Sequence, residues 1–182
     1  MELFAEYKQL FTIFHVAAVV VGMGAAINTD ILFTFFGINK KLSHSEVRTI
    51  RFLSTIVTYA LGAILLTGLS LFLSDTTKYL ASAKFLTKMS IVLVLCLNGY
   101  LLHCYVFKHI GDKDFLTAKR EYNIRRVAFA LGAVSFVSWF SAMSLGVLDK
   151  IHISYPLAFS VYLIFVGVAV VVSQYIVKKF LR

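Results

Sequence analysis

The sequence predicts an all-α fold: a polytopic membrane bundle of five transmembrane helices, forming one membrane domain over residues 1–182. Three observations carry this. Only 15% of the residues are charged, against roughly a quarter in a soluble domain of ordinary composition. The charges cluster, leaving five apolar stretches longer than the roughly 18 residues that a membrane span needs. The mean hydropathy of +0.83 and the single proline leave little room for linkers or a water-facing domain.

The first span is expected at about 10–36, from Phe11-Thr12-Ile13 through Gly22-Met23-Gly24 to Phe35-Phe36. At 1.5 Å per residue it exceeds a hydrocarbon core of about 30 Å, so it should tilt or project. Its N-terminal flank, Met1-Glu2-Leu3-Phe4-Ala5-Glu6, lacks a basic region, so it reads as a retained helix and not as a cleaved leader. A polar loop follows, in which Ser43 and Glu46 have the spacing of a capping box and mark a helix start. The second span is expected at about 52–73, closed by Ser74-Asp75-Thr76-Thr77-Lys78, and the third at about 85–107. The basic, amphipathic segment from Lys108 to Arg126 reads as lying on an anionic membrane surface, with docking of a partner protein as the alternative. The fourth span is expected at about 127–148, and the fifth at about 155–177, with Pro156 suited to its first turn.

Five crossings put the termini on opposite sides. Lys8, Lys78, Lys84, Lys88 and Lys150 fall on the N-terminal side, five of the 18 basic residues, and the other 13 fall on the C-terminal side. The positive-inside rule then predicts the N-terminus outside and the C-terminus in the cytoplasm, in a bacterial-type inner membrane. This also accounts for the net charge of +9 without nucleic acid, which would need a continuous basic surface. Cys96 and Cys104, eight apart on one helix, have neither the spacing nor the geometry for a zinc site or a disulfide. Small residues recur at helical spacing: Ala18, Gly22 and Ala26; Ser54, Thr58 and Gly62; Ala128, Gly132, Ser135, Ala142 and Gly146. Such stripes predict close helix contacts.

Ionisable side chains inside a membrane need a partner or a purpose. His15 and Asp30 on the first helix, and Lys88 and His103 on the third, fall into two sets matched in depth, each pair fifteen residues apart and so about 22 Å apart along its helix. The inner set, Asp30 with His103 or with Arg51 or Arg48, is joined by Asn28, Asn98, Ser135, Ser138 and Trp139 into an expected polar cluster. It reads either as a proton or cation site or as an ion pair locking helices together. In the outer set, His15 is a candidate haem ligand, and His152 is the depth-matched second imidazole that a bis-histidine haem b would need. The bland alternative is a hydrogen-bonded packing histidine.

The stretches Phe14-His15-Val16-Ala17-Ala18-Val19-Val20-Val21-Gly22-Met23-Gly24 and Lys88-Met89-Ser90-Ile91-Val92-Leu93-Val94-Leu95-Cys96-Leu97-Asn98-Gly99-Tyr100 resemble the first and third helices of HemJ-type and copper-resistance D-type bacterial membrane proteins. Thr87 stands where the HemJ pattern places a histidine. HemJ-type proteins are haem-associated protoporphyrinogen oxidases, and the resemblance implies His15 as haem ligand and Lys88 as partner to a propionate or porphyrin carboxylate. Three functional classes stay open at this point. One is a haem- or quinone-associated redox or porphyrin-handling protein, working alone, as a homo-oligomer or with a membrane redox partner. Another is a transporter or channel for a small ion or solute, using Asp30, Asn98 and His103. The third is a non-catalytic scaffold whose partners are lipid and its own helices.

Overall fold

The computed structural model describes residues 4, 6–38, 43–108, 119–148 and 153–180. Within them the chain forms helix α1 (Lys8–Ile38), α2 (His44–Ser74), the short α3 (Thr76–Leu80), α4 (Ala83–Leu101), α5 (Lys119–Val147) and α6 (Tyr155–Phe180). A π-helical turn, Leu102–Phe107, continues α4. Five of these helices are long and apolar enough to cross a membrane, and no strand occurs among the described residues.

The outer surface explains what solvent this bundle suits. Val20, Tyr59, Leu66 and Val171 are 65 to 77% exposed, on four turns from three different helices. An apolar surface of that extent is not tolerated in water and matches lipid tails. Polar residues on these helices are mostly satisfied within their own helix. Thr12, Thr29, Thr58 and Thr87 each donate to the carbonyl four residues back, at 2.8 to 3.0 Å. Asn28 does the same through Nδ2, donating to Gly24, and so faces outward instead of joining a central cluster. A hydroxyl spent this way leaves no exposed donor for the hydrocarbon to reject.

Helix ends differ from the hydropathy boundaries for a physical reason. The capping box at Ser43 is present, with Glu46 N–H donating to Ser43 Oγ and Ser43 N–H donating to Glu46 Oε2. The helix it starts is continuous with the second span, so α2 begins eight residues before the apolar run expected from 52. Likewise α5 starts at Lys119, so its basic first two turns belong to the same rod as the fourth span. The rest of the expected surface segment, residues 109–118, lies outside the described residues. Between α2 and α4, Asp75 caps α3 by accepting from Lys78 N–H, and Phe72 stacks on Phe85 at 5.5 Å.

The bundle has two parts. Helices α1 and α2 form a hairpin, the most extensive helix pair in the molecule, and α4, α5 and α6 form a trio. The hairpin meets the trio chiefly through α1 and α5. In the middle of that seam, Trp139 is 2% exposed within a cluster of Met23, Ala26, Ile64 and Leu95. Towards the C-terminal end of α1, Val47, Ile50, Val106 and Ala128 make a second cluster with Phe33 and Phe107 packed on it. A third, of Ile91, Ala142 and Tyr162, holds the trio together, reinforced by a buried hydrogen bond of 2.8 Å between Tyr162 and Ser138.

Candidate functional site

Asp30 lies on α1, eight residues before the helix ends, against α5. Its Oδ1 sits so near Gly132 that a Cβ there would stand 3.2 Å away. The small residue is what lets the carboxylate enter the seam. Oδ2 is buried, and no hydrogen bond reaches it among the described residues. An uncompensated carboxylate in such surroundings costs several kcal/mol, which sets this atom apart from the neutral polar groups buried without a partner.

Two cavities meet at Asp30. The larger, of about 510 Å³, lies between hairpin and trio and is bounded by Asp30, Thr58, Cys96, Tyr100, His103 and Ser135. The smaller, of about 290 Å³, is bounded by Asp30, Thr34, Gly132, Phe136, Val172 and Ser173. The π turn supplies part of the larger cavity's wall, through Leu102, His103 and Phe107. A π turn inserts one residue into the α register and is recurrently found at functional sites. Here it swings His103 to an exposed position with its ring 6.4 Å from that of Phe107. His103 therefore shares a cavity with Asp30 without hydrogen-bonding to its Oδ2, and Arg48 and Arg51 are exposed on α2.

The other members of the expected inner cluster separate into different roles. Asn98 is buried, donates from Nδ2 to the Leu131 carbonyl at 3.1 Å, and leaves Oδ1 without a partner. Ser138 donates to the Val134 carbonyl at 2.6 Å, so its oxygen accepts from the Tyr162 hydroxyl. Both serve the trio's interior. Trp139 fills the seam by packing, its indole Nε1 likewise unpartnered. Cys96 and Cys104 are free thiols.

At the opposite depth, His15 is held between α1 and α2. Its Nδ1 lies 2.9 Å from Thr67 Oγ1. That hydroxyl already donates to the Ala63 carbonyl at 2.6 Å, so it accepts here, and the imidazole proton sits on Nδ1. Nε2 then carries the lone pair, the arrangement in which a histidine binds a metal through Nε2 with its other nitrogen anchored by the protein. Gly68 makes room for the ring, since a Cβ there would stand 3.4 Å from Cε1. Lys88 lies near enough for its charge to act on His15, with Nζ close to Gly146. The Nδ1–H tautomer and the neighbouring cation are what the chain offers on this side, and His15 borders neither of the two cavities at Asp30. His152, the expected second ligand, lies outside the described residues. Thr87 is 1% exposed and bonded to its own helix.

Compared with models of known families, with curated proteins and with solved structures, the chain shows no match.

Sequence reasoning missed one constellation. Arg126 Nε donates to Gln174 Oε1 at 2.9 Å, while Gln174 Nε2 donates back to the Arg126 carbonyl at 2.9 Å. The signal was present: Gln174 is the sole amide in the fifth apolar run, and such a residue needs a partner across a helix interface.

Proposed function

We propose that this chain is a multi-pass inner-membrane transport protein that binds a small organic cation at Asp30, with its N-terminus outside and its C-terminus in the cytoplasm. The observation that carries this reading is the buried, unpartnered Asp30 Oδ2 at the junction of two cavities. A carboxylate so placed is neutralised by a proton or by a cation that comes from outside the protein.

The cavity walls favour one kind of cation. A bare divalent metal demands about six oxygen ligands, usually with several carboxylates among them, whereas the walls of the two cavities carry Asp30 as their one carboxylate among the described residues. An organic cation needs only that carboxylate, an apolar wall and an aromatic face. Tyr100 and Phe107 border the larger cavity, whose volume is in the range of small-molecule sites. Proton and cation would then compete for the same oxygen, which is the elementary requirement for exchanging one for the other. The charge bias of the loops supports an Asp30 site loaded from the cytoplasmic half.

The test is ethidium binding to the purified protein and its uptake into proteoliposomes under an imposed pH gradient. Saturable binding and uptake, reduced at least tenfold in Asp30→Asn and partly retained in Asp30→Glu, are expected. Equal binding by the wild type and Asp30→Asn sinks the reading.

A second reading is favoured by the His15 tautomer: a haem-associated redox or porphyrin-handling protein, as the HemJ-type resemblance implies, with Lys88 available to a propionate. Bound haem would supply one-electron chemistry, and the chain's part would be to hold His15 by Thr67 and to keep water out. The check is a reduced-minus-oxidised spectrum of protein expressed with haem precursor. An α-band lost in His15→Ala supports it, and a flat spectrum removes it.

A further inference from the structure

At the C-terminal end of α6 and the N-terminal end of α5, a cleft of about 350 Å³ is bounded by Tyr122, Arg126, Gln174, Tyr175 and Lys178. Gln174 lies six residues before α6 ends, about 9 Å along the axis, which is headgroup depth in a spanning helix. The cleft has two cations and no carboxylate in its wall. Orienting a helix by the positive-inside rule requires charge alone and no fixed geometry. Here geometry is fixed. The reciprocal amide contact with Gln174 uses Arg126 Nε and ties the guanidinium to its own backbone carbonyl. Its two terminal nitrogens, and Lys178 Nζ, have no partner among the described residues.

We propose that this α5–α6 cleft binds the phosphate of an anionic phospholipid headgroup. The terminal N–H groups of Arg126 present the planar fork that matches two phosphate oxygens, and Lys178 adds a point charge. Tyr122 and Tyr175 supply hydroxyls at the headgroup level and aromatic rings against the upper acyl chain, the placement favoured for tyrosine at a membrane interface. Gln174 is a positioning residue, since it holds Arg126 and carries no charge. Basic clefts between helices on the cytoplasmic side suit such headgroups, and a membrane supplies them at far higher local concentration than free phosphate.

Native mass spectrometry of delipidated full-length protein titrated with phosphatidylglycerol, phosphatidylcholine or inorganic phosphate tests this. One phosphatidylglycerol should be retained at least tenfold more tightly than phosphatidylcholine. Arg126→Gln and Lys178→Gln should each weaken retention about tenfold, while Arg48→Gln, which removes the same charge from the exposed surface of α2 on the same side, leaves it unchanged. Gln174→Ala should weaken retention several-fold at unaltered net charge. Equal small losses from all three charge variants would show diffuse surface attraction and overturn the site. Binding of inorganic phosphate without preference among the lipids would overturn the lipid source. Lys178→Gln keeps the test open if Arg126→Gln fails to fold, because Lys178 has no described partner to lose.

Discussion

Trp139 rests the edge of its indole on Gly22, so close that a Cβ at Gly22 would stand 2.8 Å from Trp139 Cη2 and 2.9 Å from the Ala60 Cβ. This three-helix contact of α1, α2 and α5 lies in the middle of the seam between the hairpin and the trio. Gly22→Ala should therefore destabilise the protein by about 1–3 kcal/mol, as overpacking of a filled site does. Unfolding titrations in mixed micelles measure this, and Trp139→Phe should relieve part of the loss in the double variant, the contact with the Ala60 Cβ remaining. Additive losses would show that the contact is not the cause.

Gly132→Ala acts on a different neighbour. The added methyl meets the Asp30 carboxylate at 3.2 Å, a side chain that can give by a few tenths of an ångström. Stability should change by less than about 1 kcal/mol, while ethidium affinity falls several-fold because the carboxylate is displaced from the cavity junction. An unchanged affinity would mean that the position of Asp30 does not matter to the ligand.

Asp30→Asn separates the transport reading from an interhelical lock by the sign of its effect. Breaking a buried ion pair typically costs about 3–5 kcal/mol. Removing an unpartnered carboxylate costs nothing of the kind, and stability in ligand-free protein should hold or rise by about 1 kcal/mol. A large loss in the same unfolding titration would place Asp30 in a structural pair.

Tyr162→Phe should cost about 1 kcal/mol, the net worth of one buried hydrogen bond, because Ser138 keeps its own bond to Val134. Ser138→Ala leaves the Tyr162 hydroxyl buried without an acceptor and should cost more. A double-mutant cycle with coupling near zero would remove the bond from the account of the trio's stability.

Thr67→Val removes the acceptor of the His15 Nδ1 proton while keeping the side chain's shape. Nitrogen NMR of labelled imidazole should show Nδ1 protonated in the wild type and a mixture of tautomers in the variant. An Nε2-protonated wild type would contradict the assignment and weaken the haem reading with it.

Much of the fold was legible because lipid and backbone geometry write in the same residues. Five apolar runs gave five long helices, and Ser43 with Glu46 gave the cap that was expected of them. The starts of α2 and α5 were displaced because hydropathy reports where lipid begins, whereas a helix continues until its hydrogen bonds are interrupted. The depth match of His15 with Lys88 was read from the helical rise alone. Azimuth was harder. The π turn after Leu101 changed the face that His103 presents, and no composition signal announces such a turn. Trp139 was grouped with polar residues because indole carries an N–H, yet its size made it the filler of the seam. Nor did the small-residue stripe say that Gly22 would meet an indole instead of another small residue.

The Trp139–Gly22 contact sits seven residues from His15 and eight from Asp30 along α1, so it divides the bundle into an outer and an inner compartment about 10 Å away on either side. In an energised membrane, voltage falls mainly across the driest section, and one elementary charge crossing 100 mV gains or loses about 2.3 kcal/mol. On the proposed transport reading, and with the C-terminal side facing the cytoplasm as proposed, a cation reaching Asp30 from there would have crossed little of that drop. Loading would be electrically silent, and the current would belong to the step in which charge passes the tryptophan.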